Sequence, residues 1–319
     1  MTTIIEEPER TRPPTRVRAA AQSTRRRAGI LILLLLLPGL ALYALFVIAP
    51  LAQATFFSFF NWNGLGDLGD PIGFANYERA WRDPMFHQAL TNNVAVIGVS
   101  LAVQLPLALG LATLLTGRFR GRGLFRVLFF VPYIMAEVVT GVLWKIILAP
   151  EGLVNEVLRS VGLDSLAQPW LGNTTTVMPA LLLVVTWKFY GFYTILFLAA
   201  LQNVPRELVE AARIDGASRW QVFWNVTLPQ IGPTVRISVF LAIIGSLQLF
   251  DLVWVMTQGG PAGASATMVT YMIRAGIQSY QFGYASAVAV SVALISFVIA
   301  ILYQRIVLAR DNATYEKGA

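Results

Sequence analysis

The stretch ELVEAARIDGASRWQVFWNVTLP, residues 207–229, is a polar island between two strongly apolar runs. Pro205, just before it, suits the first turn of a helix, where the N–H that proline lacks is not needed. Gly216 interrupts that helix, and Ser218 followed by Gln221 is the pattern of a capping box that opens a second one. The stretch therefore predicts two short helices joined at a glycine. On spacing alone, a solvated loop with an interfacial helix fits equally well.

A longer pattern within this stretch resembles a known motif. EAA at 210–212 is followed after three residues by Gly216, and after nine more by VTLP at 226–229. This order resembles the EAA loop of ABC importer permeases, with Val226 where that family has isoleucine. The resemblance implies that the loop at 203–229 is the coupling element that docks on the ATPase subunit. The residues it assigns to this contact are Glu207, Glu210, Ala211, Ala212, Asp215 and Gly216.

The composition is that of an integral membrane protein. Of the 319 residues, 56% are hydrophobic and only 13% are charged, and the mean hydropathy is +0.63. No alternation of period two suggests a barrel, so helices are expected to cross the membrane. The apolar runs long enough to do so are 30–51, 94–115, 124–148, 177–201, 231–256 and 284–308. The sequence thus predicts an all-α integral membrane protein with six transmembrane helices.

The first apolar run has a competing interpretation as a secretory signal peptide, because AQA at 52–54 resembles a cleavage site. The run at 30–51 is free of charge and longer than the apolar core of a signal peptide, which has about 7–15 residues. We therefore expect an uncleaved span that opens a permease domain at 30–308. Residues 1–29 are rich in arginine and proline and are expected to form a disordered basic tail, and 309–319 a second tail.

The positive net charge of +7 is distributed unevenly along the chain. Most lysines and arginines lie in the N-terminal tail, in the second and fourth loops between spans, and at the C-terminus. The first, third and fifth loops hold only Arg79, Arg82, Arg159 and Arg274. Because cytoplasmic loops carry an excess of Lys and Arg, both termini and the 203–229 loop are expected to be cytoplasmic. The same distribution accounts for the basic charge without nucleic acid as a partner.

Segments in the predicted outer loops carry a second resemblance. GFANY at 73–77, ALTN at 89–92 and TQGGP at 257–261 are similar to patterns of sugar ABC permeases. The resemblance covers about 61–305 and implies the type I (MetI-like) ABC importer permease fold in a bacterial plasma membrane. It also implies the partners: a second permease subunit, a dimer of ATP-binding subunits, an extracellular solute-binding protein and a sugar substrate.

Several kinds of chemistry lack the residues that they need. The sequence has no cysteine, and its single histidine, His87, is assigned to a loop, so no thiol chemistry and no metal site are expected. None of the lysines, Lys145, Lys188 and Lys317, follows a glycine as the phosphate-binding loop of an ATPase requires. The chain is therefore expected not to be an enzyme and to need no cofactor. A separate subunit would hydrolyse ATP.

The sequence also suggests a translocation path. Glu137 and Lys188 lie near the middle of predicted spans, where an ion costs on the order of 2.5–3.5 kcal/mol, so we expect them to face a common polar cavity and to pair. By resemblance to the maltose-type permeases, the matching sugar-contact positions are Lys188, Phe189, Phe192, Ser246 and Leu249, with Gln248 as a polar neighbour. Ordinary helix packing remains the alternative role for the two phenylalanines.

Three classes of function are compatible with the sequence. The resemblance favours the permease subunit of a sugar importer. An ion-coupled secondary transporter would instead use Glu137 and Lys188 as its ion relay, although the internal repeats typical of that class are not apparent. A membrane scaffold without transport activity is the third and weakest alternative.

Overall fold

The computed structural model of the protein describes residues 34–117 and 120–308. Within these ranges every regular element is helical, and the only extended pairing is an isolated bridge between Phe60 and Pro71. The all-helical class predicted from composition is confirmed. Both predicted tails lie outside the described residues.

The helices are numbered here in chain order. They are α1 (Leu34–Phe57), α2 (Ala75–Arg82), α3 (Pro84–Thr116), α4 (Arg122–Ile134), α5 (Glu137–Ile147), α6 (Leu153–Ser160), α7 (Val177–Gln202), α8 (Arg206–Ile214), α9 (219–230), α10 (Gly232–Leu247), α11 (Asp251–Met256), α12 (Met268–Ile273) and α13 (Phe282–Val307).

Five helical segments of the described chain are long and apolar enough to cross a membrane. They are α1, α3, α7, α13 and the segment Gly232–Met256, which comprises α10 and α11. Helices α4 and α5 together form a sixth apolar segment, bent by 98°. The six predicted spans correspond to these six segments, and the third of them is broken.

Within helix α1, residues 34–54 belong to a separate compact unit. None of its side chains at 34–54 is buried, and leucines such as Leu35 and Leu45 are largely exposed. A helix that is apolar on every side suits a lipid environment. The helix also runs without a break through AQA at 52–54.

The third predicted span, 124–148, is not one straight helix. Helix α5 begins at Glu137, and the linking residues Met135 and Ala136 are extended, with ψ angles of 139° and 142°. Pro132 lacks a backbone N–H and its ring crowds the preceding turn, which weakens α4 just before the bend. This corrects the prediction of an uninterrupted span. It also moves Glu137 from mid-helix to the first turn of α5.

Helix α3 begins earlier than predicted. Asp83 is its N-cap and accepts a hydrogen bond of 2.8 Å from the backbone N–H of Met85, while Pro84 occupies the first helical position. His87 therefore lies in the first turns of a helix, and its Nε2 is 2.6 Å from the carbonyl oxygen of Trp81. The assignment of His87 to a loop was wrong, because the cap lies four residues upstream of it.

About half of the residues of helix α7 are buried, and the helix packs against α3 and α4. Gly191 permits the contact with α4, since a Cβ there would lie 2.0 Å from the carbonyl oxygen of Phe129. The close approach brings the aromatic residues of α7 against the C-terminal end of α4, where Tyr133 lies 6.4 Å from Phe189 between ring centroids.

Candidate functional site

A cavity of about 220 Å³ lies among α3, α4, α7 and α10. Its walls are apolar and aromatic with a few uncharged polar side chains, and no charged residue lines it. The lining consists of Val96, Ser100, Gln104, Tyr133, Val185, Phe189, Phe192, Tyr193, Leu241, Ala242, Gly245, Ser246 and Leu249. The structure thereby brings together four of the predicted pathway residues: Phe189, Phe192, Ser246 and Leu249.

One wall of this cavity is aromatic. Tyr133 stacks on Phe192 with ring centroids 4.9 Å apart and an interplanar angle of 30°. Phe192 also meets Tyr193 edge to face at 5.1 Å. Aromatic faces with a few polar groups nearby suit a ligand that has apolar faces and polar edges.

Lys188 is only 2% exposed and does not line the cavity. Its Nζ donates hydrogen bonds of 2.9 Å to the carbonyl oxygens of Pro132 and Tyr133, and a third, short one to that of Met135. The last carbonyls of a helix have no partner within the helix, and they form its negative end. Lys188 therefore caps the C-terminus of α4 at the bend.

Glu137 stands on the other side of the same bend, in the first turn of α5, where the positive end of a helix favours a carboxylate. Its charge lies near enough to that of Lys188 for the two to attract each other. No ion pair joins them in the described part of the chain, however, and neither lines the cavity. The predicted direct pair is not formed, because three backbone carbonyls occupy the ammonium group.

A second helix break borders the cavity between α10 and α11. The side-chain amide of Asn93 donates a hydrogen bond of 2.6 Å to the carbonyl oxygen of Ser246. The hydroxyl of Thr267 donates a hydrogen bond of 2.8 Å to the carbonyl oxygen of Leu249. Both acceptors belong to residues that line the cavity. Gln248, between them, is exposed and lies outside the lining.

Sequence reasoning did not single out Asn93 as a functional residue. The side-chain amides of Asn93 and Asn92 are both buried. The Asn92 amide donates hydrogen bonds of 3.0 and 2.8 Å to the carbonyl oxygens of Ala264 and Ala266. Two adjacent amides at the start of an apolar run were the available signal, because buried amides need partners.

The two-helix element α8–α9, residues 206–230, has the predicted local structure. Gly216 adopts a φ of +83° between the helices, which L-residues with a side chain rarely do. Ser218 and Gln221 form the predicted capping box. The Oγ atom of Ser218 accepts a hydrogen bond of 3.3 Å from the backbone N–H of Gln221. The Oε1 atom of Gln221 accepts one of 2.8 Å from the backbone N–H of Ser218. Glu207 lies in the first turn of α8 and Arg213 in its last turn. These positions are favourable, because the N-terminal end of a helix attracts negative charge and the C-terminal end attracts positive charge.

The surface of this element is available to a partner. Of the residues assigned to coupling, Ala212 is half-buried, and the others are exposed: Glu207, Glu210, Ala211, Asp215 and Gly216. Large apolar side chains are exposed beside them, with Ile214 at 87% and Trp220 at 70%. Trp220 stands in a ring cluster with Phe223 and Trp224. Exposed apolar groups next to charged ones are typical of a surface that binds another protein or a membrane.

A polar cluster joins the start of α3 to α12 and α13. The hydroxyl of Tyr271 donates a short hydrogen bond to Asp83 Oδ2, and Tyr284 reaches the same oxygen at 3.2 Å. Arg79 lies 4.2 Å over the ring of Tyr284. Burial alone would raise the pKa of Asp83, but the hydrogen bonds from Tyr271, the Met85 backbone and Tyr284 hold that pKa below its usual value.

The same surroundings raise the pKa of Tyr271, through burial and then through its bond to Asp83. Two tyrosine hydroxyls thus form hydrogen bonds with the Asp83 carboxylate. Across residues 34–117 and 120–308, no group of three His, Asp or Glu side chains is placed to hold a metal ion.

The sequence matches the profile of the family described as "Binding-protein-dependent transport system inner membrane component" over residues 104–311. The chain is similar to the diacetylchitobiose uptake system permease protein NgcF of Streptomyces coelicolor, with 34% identity over 275 residues that cover 82% of this chain and 78% of that protein. It is also similar to the lactose transport system permease protein LacF of Rhizobium radiobacter, with 32% identity over 269 residues that cover 83% of this chain and 90% of that protein.

A solved structure shares the fold. It is that of a bacterial ABC transporter involved in the import of the acidic polysaccharide alginate, one chain of which aligns with a TM-score of 0.77. The alignment covers 90% of this chain and 99% of that chain at 24% sequence identity. At this identity the likeness establishes a common fold.

Proposed function

Because this chain belongs to the family of binding-protein-dependent transport system inner membrane components, we propose that it forms half of the translocation pathway of an ATP-driven importer for a sugar or oligosaccharide. It is a multi-pass membrane subunit of a sugar ABC transporter and is not itself an enzyme. In this proposal a second permease completes the pathway, a dimer of ATP-binding subunits hydrolyses ATP, and an extracellular solute-binding protein delivers the sugar.

The observation that carries the proposal is the exposed element α8–α9. It stands between two membrane spans, presents Glu207 and Glu210 beside the apolar side chains of Ile214 and Trp220, and carries the family motif. Exposed apolar side chains on a polar hairpin are typical of a surface that another protein or the membrane covers, and the resemblance of this stretch to the EAA loop favours the protein. We assign this surface to the ATP-binding subunit, with Glu210 as the group that meets a basic side chain of that subunit.

The cavity supports the pathway part of the proposal. Phe189 and Phe192 offer aromatic faces, and Ser246 and Leu249 line the same cavity next to a helix break. Binding sites near broken helices are common in membrane transporters, because the break frees backbone groups and gives the wall its shape. In the proposal Lys188 and Glu137 act indirectly, by maintaining the bend in the third span that carries Tyr133.

We further propose that both termini and the element α8–α9 face the cytoplasm. The support is the excess of arginine in the second and fourth loops, and the requirement that the surface for an ATP-binding subunit be on the side of ATP.

The geometry disfavours the rival ion-coupled transporter. A proton or ion relay needs a group that exchanges its proton or ion with water. Lys188 is 2% exposed, and its three N–H groups are committed to three carbonyls of the described chain.

The test is transport by the assembled complex. The chain is co-expressed with a second permease, an ATP-binding subunit and a solute-binding protein encoded beside it, reconstituted into vesicles and assayed for uptake of radiolabelled lactose and diacetylchitobiose. The proposal expects uptake that needs both ATP and the binding protein. Uptake by this chain alone, driven by a proton or sodium gradient without ATP, would overturn it.

A further inference from the structure

Several uncharged polar side chains line the cavity. Ser100 and Gln104 lie at the two ends of a π-helical turn in α3 and both line the cavity. Pro106 follows that turn and lacks the N–H that would bond to the carbonyl four residues earlier, so the regular α-helical pattern is relaxed there. A π-turn redirects side chains relative to a regular helix and is frequent at functional sites.

Gln104 and Tyr193 are almost fully buried, with 2% and 6% of their surfaces exposed, and both line the cavity. The amide of Gln104 and the hydroxyl of Tyr193 make no hydrogen bond to any described residue. Their polar atoms are not among the buried side-chain atoms that are sealed from solvent without a partner, and both residues line the cavity. The amide of Gln104 and the hydroxyl of Tyr193 are therefore open to the cavity, with hydrogen-bonding capacity that the protein itself does not use.

The other small polar residues of the cavity are different. Ser246 donates a hydrogen bond of 2.7 Å to the carbonyl of Ala242, and its hydroxyl is 3.4 Å from that of Ser100. These hydroxyls are satisfied within the protein. The capacity to bind a polar ligand is thus concentrated on Gln104 and Tyr193.

We propose that Gln104 and Tyr193 form a hydrogen-bonding subsite for one uncharged sugar ring, an inference that rests on the proposed sugar transport. A side-chain amide both donates and accepts hydrogen bonds, so Gln104 can bind two adjacent hydroxyl groups of a sugar. The hydroxyl of Tyr193 can form a hydrogen bond with a third hydroxyl group of the same ring. The aromatic wall at Phe192 receives the apolar face of the ring.

The charge of the substrate follows from the same lining. No cationic side chain borders the cavity, and the nearby ammonium of Lys188 is bonded to three carbonyls. A carboxylate placed there would lose its hydration without gaining a counter-ion, which is costly. The subsite accepts neutral sugars and rejects acidic ones.

The test uses the reconstituted complex with three radiolabelled disaccharides: lactose, diacetylchitobiose and an alginate disaccharide. Gln104→Leu removes the amide at similar length, and Tyr193→Phe removes a single oxygen atom. The matched control is Tyr190→Phe, because Tyr190 is on the same helix but borders an apolar groove away from the cavity.

Wild type should transport at least one neutral disaccharide and take up the alginate disaccharide at least about tenfold more slowly. Each subsite variant should lower the uptake of the transported neutral sugar roughly three- to tenfold at equal membrane levels, whereas Tyr190→Phe stays at the wild-type rate. Removing a group that bonds to one hydroxyl also changes the relative rates of lactose and diacetylchitobiose.

Two results would overturn the subsite while leaving sugar transport intact: wild-type uptake in both Gln104→Leu and Tyr193→Phe, or preferred uptake of the alginate disaccharide by wild type. If wild type with all its partners transports none of the three disaccharides, the proposed function fails in this assay, and the subsite fails with it. Poor membrane levels of Gln104→Leu do not obstruct the test, since Tyr193→Phe retains the ring and its packing.

Discussion

The Nζ atom of Lys188 lies 2.9 Å from the carbonyl oxygen of Pro132, across the bend between α4 and α5. The bend leaves the last carbonyls of α4 without the N–H donors that a continuous helix would supply. Water cannot reach them freely in a buried site, so a cation from the neighbouring helix replaces those donors. This contact explains how a chain can keep both a sharply bent apolar segment and a buried lysine in the middle of the apolar helix beside it.

We first predict that Lys188→Met destabilises the protein. The change leaves the carbonyls of Pro132, Tyr133 and Met135 without a donor, and hydrogen bonds from a charged group are worth about 1.5–3 kcal/mol. The expected result is a lower melting temperature of the purified protein in detergent and reduced sugar uptake. Lys188→Arg, which keeps the charge and the donors, should retain more of both.

A second change separates this explanation from an ion pair. If Lys188 acted mainly as the partner of Glu137, the addition of Glu137→Gln to Lys188→Met would restore stability, because no charge would remain unpaired. We expect no restoration, since the carbonyls stay unsatisfied in the double variant. A double variant whose melting temperature equals that of the wild type would contradict the capping role.

The second prediction concerns Gly216. Its φ of +83° disfavours any side chain, although a Cβ there would meet no atom within 4 Å. Strain, rather than collision, thus decides the outcome. Gly216→Val should abolish uptake at normal membrane levels, because a β-branched residue resists this conformation. Gly216→Asn is the control, as asparagine tolerates positive φ and should preserve most of the activity. Equal loss in both variants would show that the backbone conformation is not what matters.

Glu210 carries the third prediction. Glu210→Ala should leave the protein in the membrane but lower uptake at least about tenfold, because a charge-assisted contact to the ATP-binding subunit is lost. ATP hydrolysis by the purified complex should also stop responding to the loaded solute-binding protein. The matched control is Glu156→Ala, an exposed glutamate of α6. Wild-type uptake by Glu210→Ala would argue against α8–α9 as the coupling surface.

Topology is the fourth prediction, and the absence of cysteine makes it direct to test. The structure guides the choice of sites, since Asn76 and Gly263 are buried while Asp67, Asp164, Arg120 and Arg219 are exposed. In intact cells, an impermeant maleimide should label Asp67→Cys and Asp164→Cys. Arg120→Cys and Arg219→Cys should react only after permeabilisation. The reverse pattern would refute the proposed orientation.

The fifth prediction is a loss of stability in acid that depends on Asp83. The folded-state pKa of Asp83 lies below its ordinary value of 3.8, so its contribution is present above that value and is lost as the pH falls through the folded pKa. Melting curves from neutral pH to about pH 3 should show a smaller fall for Asp83→Asn than for wild type. Asp164→Asn, at an exposed site, should follow the wild-type curve. Identical curves for wild type and Asp83→Asn would exclude this role.

Features that depend on a few neighbouring residues were predictable without tertiary information. The capping box at Ser218 and Gln221, the glycine turn at Gly216 and the apolar lengths of the spans are of this kind. Each is governed by backbone geometry or by the transfer of a contiguous segment into lipid, so the pattern of adjacent residues contains the necessary information. The family motif in 207–229 belongs to the same class.

The cavity could not be derived in that way. The carbonyls that hold Lys188 are 53 to 56 residues away from it, and the acceptor of Asn93 is 153 residues away. Whether a buried polar residue pairs with another charge, caps a broken helix or points into a cavity depends on which backbone groups the packing leaves without a partner. Composition and spacing marked Lys188 as unusual, but only the packing of α4 against α7 supplies its carbonyls, because those acceptors exist solely where the third span bends.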